Sequence, residues 1–185
     1  EKDAREYYFV SREEFQAMVA RGELLEHADI FGDLYGTPRS NVLQAAAEGK
    51  DLVLDIDAQG AAQVKAQFPA AVAIFMLPPS RQELEHRLRA RGLDAPQVIA
   101  RRLQTARREI ENFRDYDYII VNDSREQACS EVEAIAQVER DARGAEALPT
   151  AELAAARALA AQSRQAARAQ RISAILESFD LPAEN

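Results

Sequence analysis

The sequence predicts an α/β fold built on a parallel sheet, and three observations predict it. Short, continuously apolar runs recur at residues 52–54, 71–77 and 118–121. Stretches with helical periodicity and capping residues lie between them. Glycine or proline closes most segments. Strands that are apolar on both faces and alternate with helices belong to a sheet covered on two sides.

The elements follow in order. Residues 5–10, aromatic and β-branched, read as a strand. Ser11 with Glu14 three residues on forms a capping-box pattern, opening a helix to about Arg21 that Gly22 stops. Residues 24–38 read as two short strands with Gly32-Asp33 as the turn between them. A helix from about Arg39 to Glu48 ends at Gly49. Residues 51–57 then predict a buried strand finishing in Asp55-Ile56-Asp57, and residues 59–68 a helix. A second apolar strand, 71–77, closes at Pro78-Pro79. Ser80 caps a helix that Gly92 ends, and Pro96 starts another to about Phe113, striped with Ile99, Leu103, Ala106, Ile110 and Phe113. The strand 118–121 runs into Asn122-Asp123, and a helix covers 126–143. Beyond it, residues 151–169 are rich in Ala and Arg, with helix propensity but few bulky apolar groups. They predict a solvated helix or partial disorder, with Ile172, Ile175, Leu176 and Phe179 as a docking stripe.

Composition bounds the function. A chain of 185 residues, 47% hydrophobic and 29% charged, makes one folded domain with a remainder. A net charge of −8 opposes general affinity for nucleic acid. The longest apolar run, 70–79, is too short to cross a bilayer and no charged-then-apolar leader is read, so a cytoplasmic location without membrane contact is expected. Cys129, the single cysteine, excludes an intramolecular disulfide and reads as inert core. His27 and His86 are isolated and read as ordinary residues, and no metal centre held by protein ligands is expected.

Three constellations can carry chemistry. Asp55 and Asp57 end an apolar strand, where open α/β sheets place ligands and where phosphate-transferring enzymes hold Mg²⁺; the alternative is a cap for the next helix. Arg87, Arg89 and Arg91 before Gly92, and Arg101, Arg102, Arg107 and Arg108 after Pro96, form a basic hairpin able to gather guanidinium groups on phosphoryl oxygens. The alternative is a solvated face paired with Glu83, Glu85, Glu109 and Glu111. Glu26 lies in an apolar stretch near Tyr7, Tyr35 and Thr37. A buried carboxylate needs donors, and a purine carrying a ring N–H beside an exocyclic amine supplies two. Surface polarity and core aromatics are the alternative there.

The order of the motifs resembles one family. Tyr-Tyr-Phe-Val (7–10), Leu-Glu-His-Ala (25–28), Phe-Gly-Asp-Leu-Tyr-Gly-Thr (31–37), Leu-Asp-Ile-Asp-Ala-Gln-Gly (54–60), Leu-Pro-Pro-Ser (77–80), Arg-Ala-Arg-Gly (89–92) and Tyr-Ile-Ile-Val-Asn-Asp (118–123) occur in succession. Together they resemble guanylate kinase over roughly residues 5–143. The resemblance implies a P-loop-type nucleoside monophosphate kinase fold with a parallel core sheet, a small mostly-β GMP-binding lobe and a helical lid. It implies a guanylate kinase-like domain over 1–143, with the lobe at 1–49, the core at 50–85 and 108–143 and the lid at 86–107; 144–185 is then a C-terminal extension. By position, Glu26 matches the carboxylate that reads guanine, and Tyr7, Tyr35 and Thr37 match groups that hold GMP. Asp55, Asp57 and Gly60 match the active-site end of the core strand, Arg91 and Arg102 the lid arginines, and Asn122 the residue beside the adenine nucleotide. The implied reaction passes the ATP γ-phosphoryl group to GMP, with Mg²⁺ on the donor.

One expected part has no counterpart in the 185 residues. The family's Gly-x-x-x-x-Gly-Lys-Ser/Thr loop does not occur, and Gly49-Lys50 is followed by Asp51. The resemblance therefore leads to the expectation of a chain begun partway in, lacking its first strand and P-loop, inactive by itself and prone to self-association through an exposed sheet edge. The competing reading is a guanylate kinase-like protein-binding module that has lost catalysis.

Overall fold

The computed structural model describes residues 7–30, 32–144 and 149–180. They fall into two compact units, Glu1–Ala71 and Val72–Asn185.

The first unit is built on a hairpin. Helix α1 (Arg12–Ala20) starts where predicted, with Ser11 Oγ accepting from the Glu14 amide at 3.2 Å. The Glu14 carboxylate does not reach back in a capping box; Arg21 Nη2 takes it at 2.8 Å. Gly22 then adopts φ +67°, the left-handed geometry that suits glycine at a helix end. Strands β1 (Leu24–Ile30) and β2 (Asp33–Pro38) pair antiparallel. Helix α2 (Arg39–Ala47) and helix α3 (Ala58–Gln67) complete the unit.

Two predicted strands are not formed here. Residues 7–10 are exposed and extend into no strand, and residues 5 and 6 lie outside the described residues. Residues 51–57 are likewise not a strand, and Val53 is 84% exposed. Apolar and β-branched side chains favour extended backbone, but a strand exists only where a neighbour completes its ladder. The run of residue types was therefore a poorer guide than the pairing.

The second unit carries the parallel pair. Strands β3 (Ile74–Leu77) and β4 (Tyr118–Val121) align in register from Ile74↔Tyr118 to Leu77↔Val121. Between them run α4 (Arg81–Arg91), capped by Ser80 and ended by Gly92 at φ +66°, and α5 (Pro96–Glu111). A short 3-10 turn, Phe113–Asp115, takes the residues predicted to end α5. Leu84 and Leu88 of α4 pack on Ile99 and Leu103 of α5, closing a helical hairpin. Helix α6 (Arg125–Ala142) lays Ala128 and Ile135 on Tyr118 and Ile120 of β4. Cys129 is exposed on the outer face of α6, not in the core as its residue type suggested.

The Ala-rich stretch is ordered. It forms α7 (Thr150–Gln162), which buries Ala156 and Ala160 against α6, and α8 (Gln165–Asp180), which buries Ile172 and Ile175. Small side chains let two helices approach closely, so the low apolar bulk that suggested solvation instead permits packing. Residues Ser163 and Arg164, between α7 and α8, lie along the edge of β4. The Ile119 amide donates to the Ser163 carbonyl at 2.6 Å, and Arg164 stacks over the Tyr118 ring at 3.9 Å. Burial first, and then the bond to Glu139, pushes the Tyr118 phenol up to about 12. Among the described residues no helix is long and apolar enough to cross a membrane.

Candidate functional site

The hairpin of the first unit sets up one acidic side chain. Leu24 pairs with Pro38 and Glu26 with Thr37, so Leu25 is an extra residue bulged from β1. A bulge shifts the alternation of the strand beyond it. Here it brings Glu26 opposite Thr37, whose hydroxyl donates to Glu26 Oε1 at 2.6 Å. Glu26 is only 4% exposed. Among the described residues no arginine or lysine pairs with it. Gly36, beside Thr37, has no room for a side chain, since a Cβ would stand 2.9 Å from both the Glu26 carbonyl oxygen and Leu24 Cδ1.

Helix α3 supplies the wall next to that carboxylate. Asp57 caps it, accepting from the Gly60 amide at 2.8 Å, so the capping alternative for Asp57 is realised. A capping carboxylate keeps further lone pairs, and the cap does not bar it from other acceptor work. Gly60 is buried, and a Cβ there would meet Glu26 Oε2 at 2.7 Å. Gly60→Ala is accordingly expected to lower the thermal midpoint, since crowding a buried group costs about 1–3 kcal/mol against a helix-propensity gain of roughly 0.5–1 kcal/mol. The same variant should displace the Glu26 carboxylate, which a purine nucleotide titration would read as a fall in affinity of about tenfold or more. Equal affinity in both proteins would exclude a role for Gly60 in shaping the site.

Tyr7 and Tyr35 also meet, with ring centroids 5.8 Å apart in an edge-on arrangement. The structure thus gathers Glu26, Thr37, Gly60 and Asp57 in one place and sets Tyr7 against Tyr35. Asp55 is exposed and takes no part in that cluster. The sequence analysis assigned nothing to Gln63 and Gln67, whose amides bond to the backbone of β1. Their spacing of four on an Ala-rich helix was the available signal.

The other candidates belong to the second unit. Arg87, Arg89 and Arg107 are engaged with Glu83, Glu85 and Glu111, each at 2.6 Å and each one helical turn away, so for these three the solvated-face alternative is the one realised. Arg91 is the exposed last residue of α4 and stands outside those pairs. Arg102 lies 3.2 Å from Asp94. Asn122 follows the C-terminal end of β4, with its amide donating to the Leu77 carbonyl at 2.8 Å. That is the end of a parallel strand pair at which ligands bind in such sheets.

A buried carboxylate holding one neutral donor is short of hydrogen bonds, and this defines what it can recognise. It accepts up to four, so a neutral edge with two adjacent N–H groups complements it. A second anion does not.

Comparison with known proteins identifies a family. The guanylate kinase family model matches residues 1–139. A guanylate kinase of Koribacter versatilis is 51% identical over 182 residues, covering 97% of this chain and 78% of its own length. That of Nitrosococcus oceani is 49% identical over 140 residues, covering 76% and 69%. The crystal structure of guanylate kinase from Anaplasma phagocytophilum superposes with a TM-score of 0.62 at 37% identity, over 75% of this chain and 68% of that one.

Proposed function

The chain belongs to the guanylate kinase family, and from that premise we propose that Glu26 reads the guanine edge of GMP while Thr37 and Gly60 fix its carboxylate. The activity is phosphoryl transfer from ATP to GMP, giving ADP and GDP. The observation that supports the assignment is the under-bonded, nearly buried Glu26. Guanine offers its ring N1–H and 2-amine side by side, whereas adenine offers a ring lone pair that would face the carboxylate. Tyr7 and Tyr35 supply hydroxyls that bind a phosphate without adding charge.

Arg91 and Arg102, on the α4–α5 hairpin, are the residues assigned to the phosphoryl oxygens, and Asn122 to the adenine nucleotide. Phosphoryl transfer asks a protein mainly to align donor and acceptor and to balance charge on the moving group. Arginine suits the second task because its planar fork of donors matches phosphate oxygens and its charge is permanent. Magnesium would come with the ATP phosphates as part of the donor, and Asp55 and Asp57 are the acids assigned to that end.

The reading is tested by titrating the 185-residue chain with GMP, IMP and AMP under ligand-observed NMR. GMP is expected to bind, IMP more weakly because it lacks the 2-amine, and AMP not detectably. Equal response to all three would refute the guanine assignment.

A further inference from the structure

We infer that Gln63 is a positioning residue for base selection, holding Glu26 in register by hydrogen-bonding the strand on which it lies. The inference rests on the reading of Glu26 as the guanine-recognising group and assigns the means by which that group is aimed.

The observation is a pairing between a helix and a strand edge. Gln63 Oε1 accepts from the His27 amide at 3.1 Å, and Gln63 Nε2 donates to the His27 carbonyl at 2.8 Å. One side-chain amide therefore satisfies both backbone groups of the residue that follows Glu26. Four residues on, Gln67 Nε2 donates to the carbonyl of Leu25, the bulged residue that precedes Glu26, at 2.7 Å. Residues four apart on a helix rise about 6 Å, and residues two apart on a strand advance about 6.6 Å. The two glutamines thus match the backbone groups of the two residues that flank Glu26. They do the work of a third strand on that edge of β1, where unmet backbone groups would otherwise face water.

The consequence for selection is geometric. β2 fixes Glu26 from one side, since Thr37 stands opposite it and donates to its carboxylate. α3 fixes it from the other, through Gln63 and Gln67 on the backbone and through Gly60 against Oε2. Gly60 lies one turn before Gln63, so a slip of α3 along β1 moves the wall that bounds the carboxylate. A carboxylate that swings still accepts one N–H, but it meets two parallel N–H groups only in one orientation. Loosening the register therefore weakens recognition of the 2-amine selectively. The quantity that reports it is the ratio of GMP to IMP affinity.

The test measures that ratio for the 185-residue chain and three variants by ligand-observed NMR. Gln63→Met keeps the length and apolar stem and loses both bonds, and the GMP:IMP ratio is expected to fall about tenfold. Gln63→Glu keeps the acceptor and loses the donor, and is expected to lower the ratio as well should the Met variant fail to fold. Arg168→Ala breaks the Glu131 pair of the second unit and leaves the α3–β1 bonds in place, and is expected to lower the thermal midpoint while leaving the ratio unchanged. A folded Gln63→Met chain that keeps the wild-type ratio overturns the inference, as does an equal loss in Arg168→Ala. Wild-type protein that binds GMP and IMP alike overturns the guanine reading as well, so the two failures are told apart.

Discussion

Glu26→Ala is expected to abolish measurable GMP binding. Each hydrogen bond to an ionised group contributes about 1.5–3 kcal/mol, so removing two costs roughly 3 kcal/mol at the least, a factor of about a hundred or more. The variant removes an anion that is 4% exposed and holds one neutral donor, so the fold itself should tolerate the change. Burying a charge with so few partners opposes folding, and its removal relieves that cost. The expected signature is therefore an unchanged or raised thermal midpoint together with loss of GMP response by NMR. Glu26→Gln sharpens the test. Its amide keeps one acceptor oxygen and presents an NH₂ group where guanine also presents N–H, so it should bind GMP weakly and lose the margin over IMP. Retention of GMP affinity in Glu26→Ala would remove the acidic group from base recognition altogether.

Arg168→Ala is expected to have the largest effect on stability in the second unit. Glu131 of α6 is 1% exposed, and its carboxylate accepts from Ser163 Oγ at 2.6 Å, Arg168 Nη2 at 2.6 Å and Gln127 Nε2 at 3.0 Å. Removing the arginine leaves a buried carboxylate without its counter-charge, which costs about 3–5 kcal/mol. For a chain of this size the thermal midpoint should drop by roughly 10 °C. Replacing both partners by Leu should recover most of that loss, because two apolar groups carry no desolvation cost. The same network predicts an acid limit. Burial by itself would raise the Glu131 carboxyl, but the bonds from Ser163, Gln127 and Arg168 outweigh burial and hold it below the ordinary glutamate value. A carboxyl lowered in the folded state contributes stability above its unfolded value, and that contribution fades as pH falls through the lower folded one. Glu131→Gln should flatten the acid side of the stability profile. A midpoint for Arg168→Ala within a degree of the parent would show that the pair contributes nothing net.

Local chemistry made much of the secondary structure legible. Ser11 and Ser80 cap the helices they were expected to cap, and Gly22, Gly49 and Gly92 end helices in the left-handed conformation that glycine permits. Each of those signals acts within four residues of its effect. The failures involve partners distant in sequence. Residues 51–57 carry strand chemistry, but a ladder is a property of two segments. The helix of 150–162 looked too thin in apolar bulk to dock, because Ala content measures what a helix buries and says little about how near it can come. The site divides in the same way. Glu26 announced itself as an acid in an apolar run, and the consecutive Leu24-Leu25 before it was the faint trace of the bulge. That the bulge sets Thr37 opposite Glu26 depended on the turn and on both strands together. Gln63 and Gln67 were invisible to motif reading, since an amide bonding a distant backbone leaves no pattern except its periodicity.

The strap of Ser163 and Arg164 along β4 also constrains how the polypeptide is made. When β4 is synthesised, the segment that will cover its second edge is still more than forty residues from being made. Closing that gap is a late, long-range event of the kind that slows folding. Until residues 163 and 164 have emerged, a chain offers an uncapped apolar strand, Tyr-Ile-Ile-Val, to any other chain within reach. Released chains ending at residue 162 should therefore hold chaperones, and chains extended through residue 180 should not.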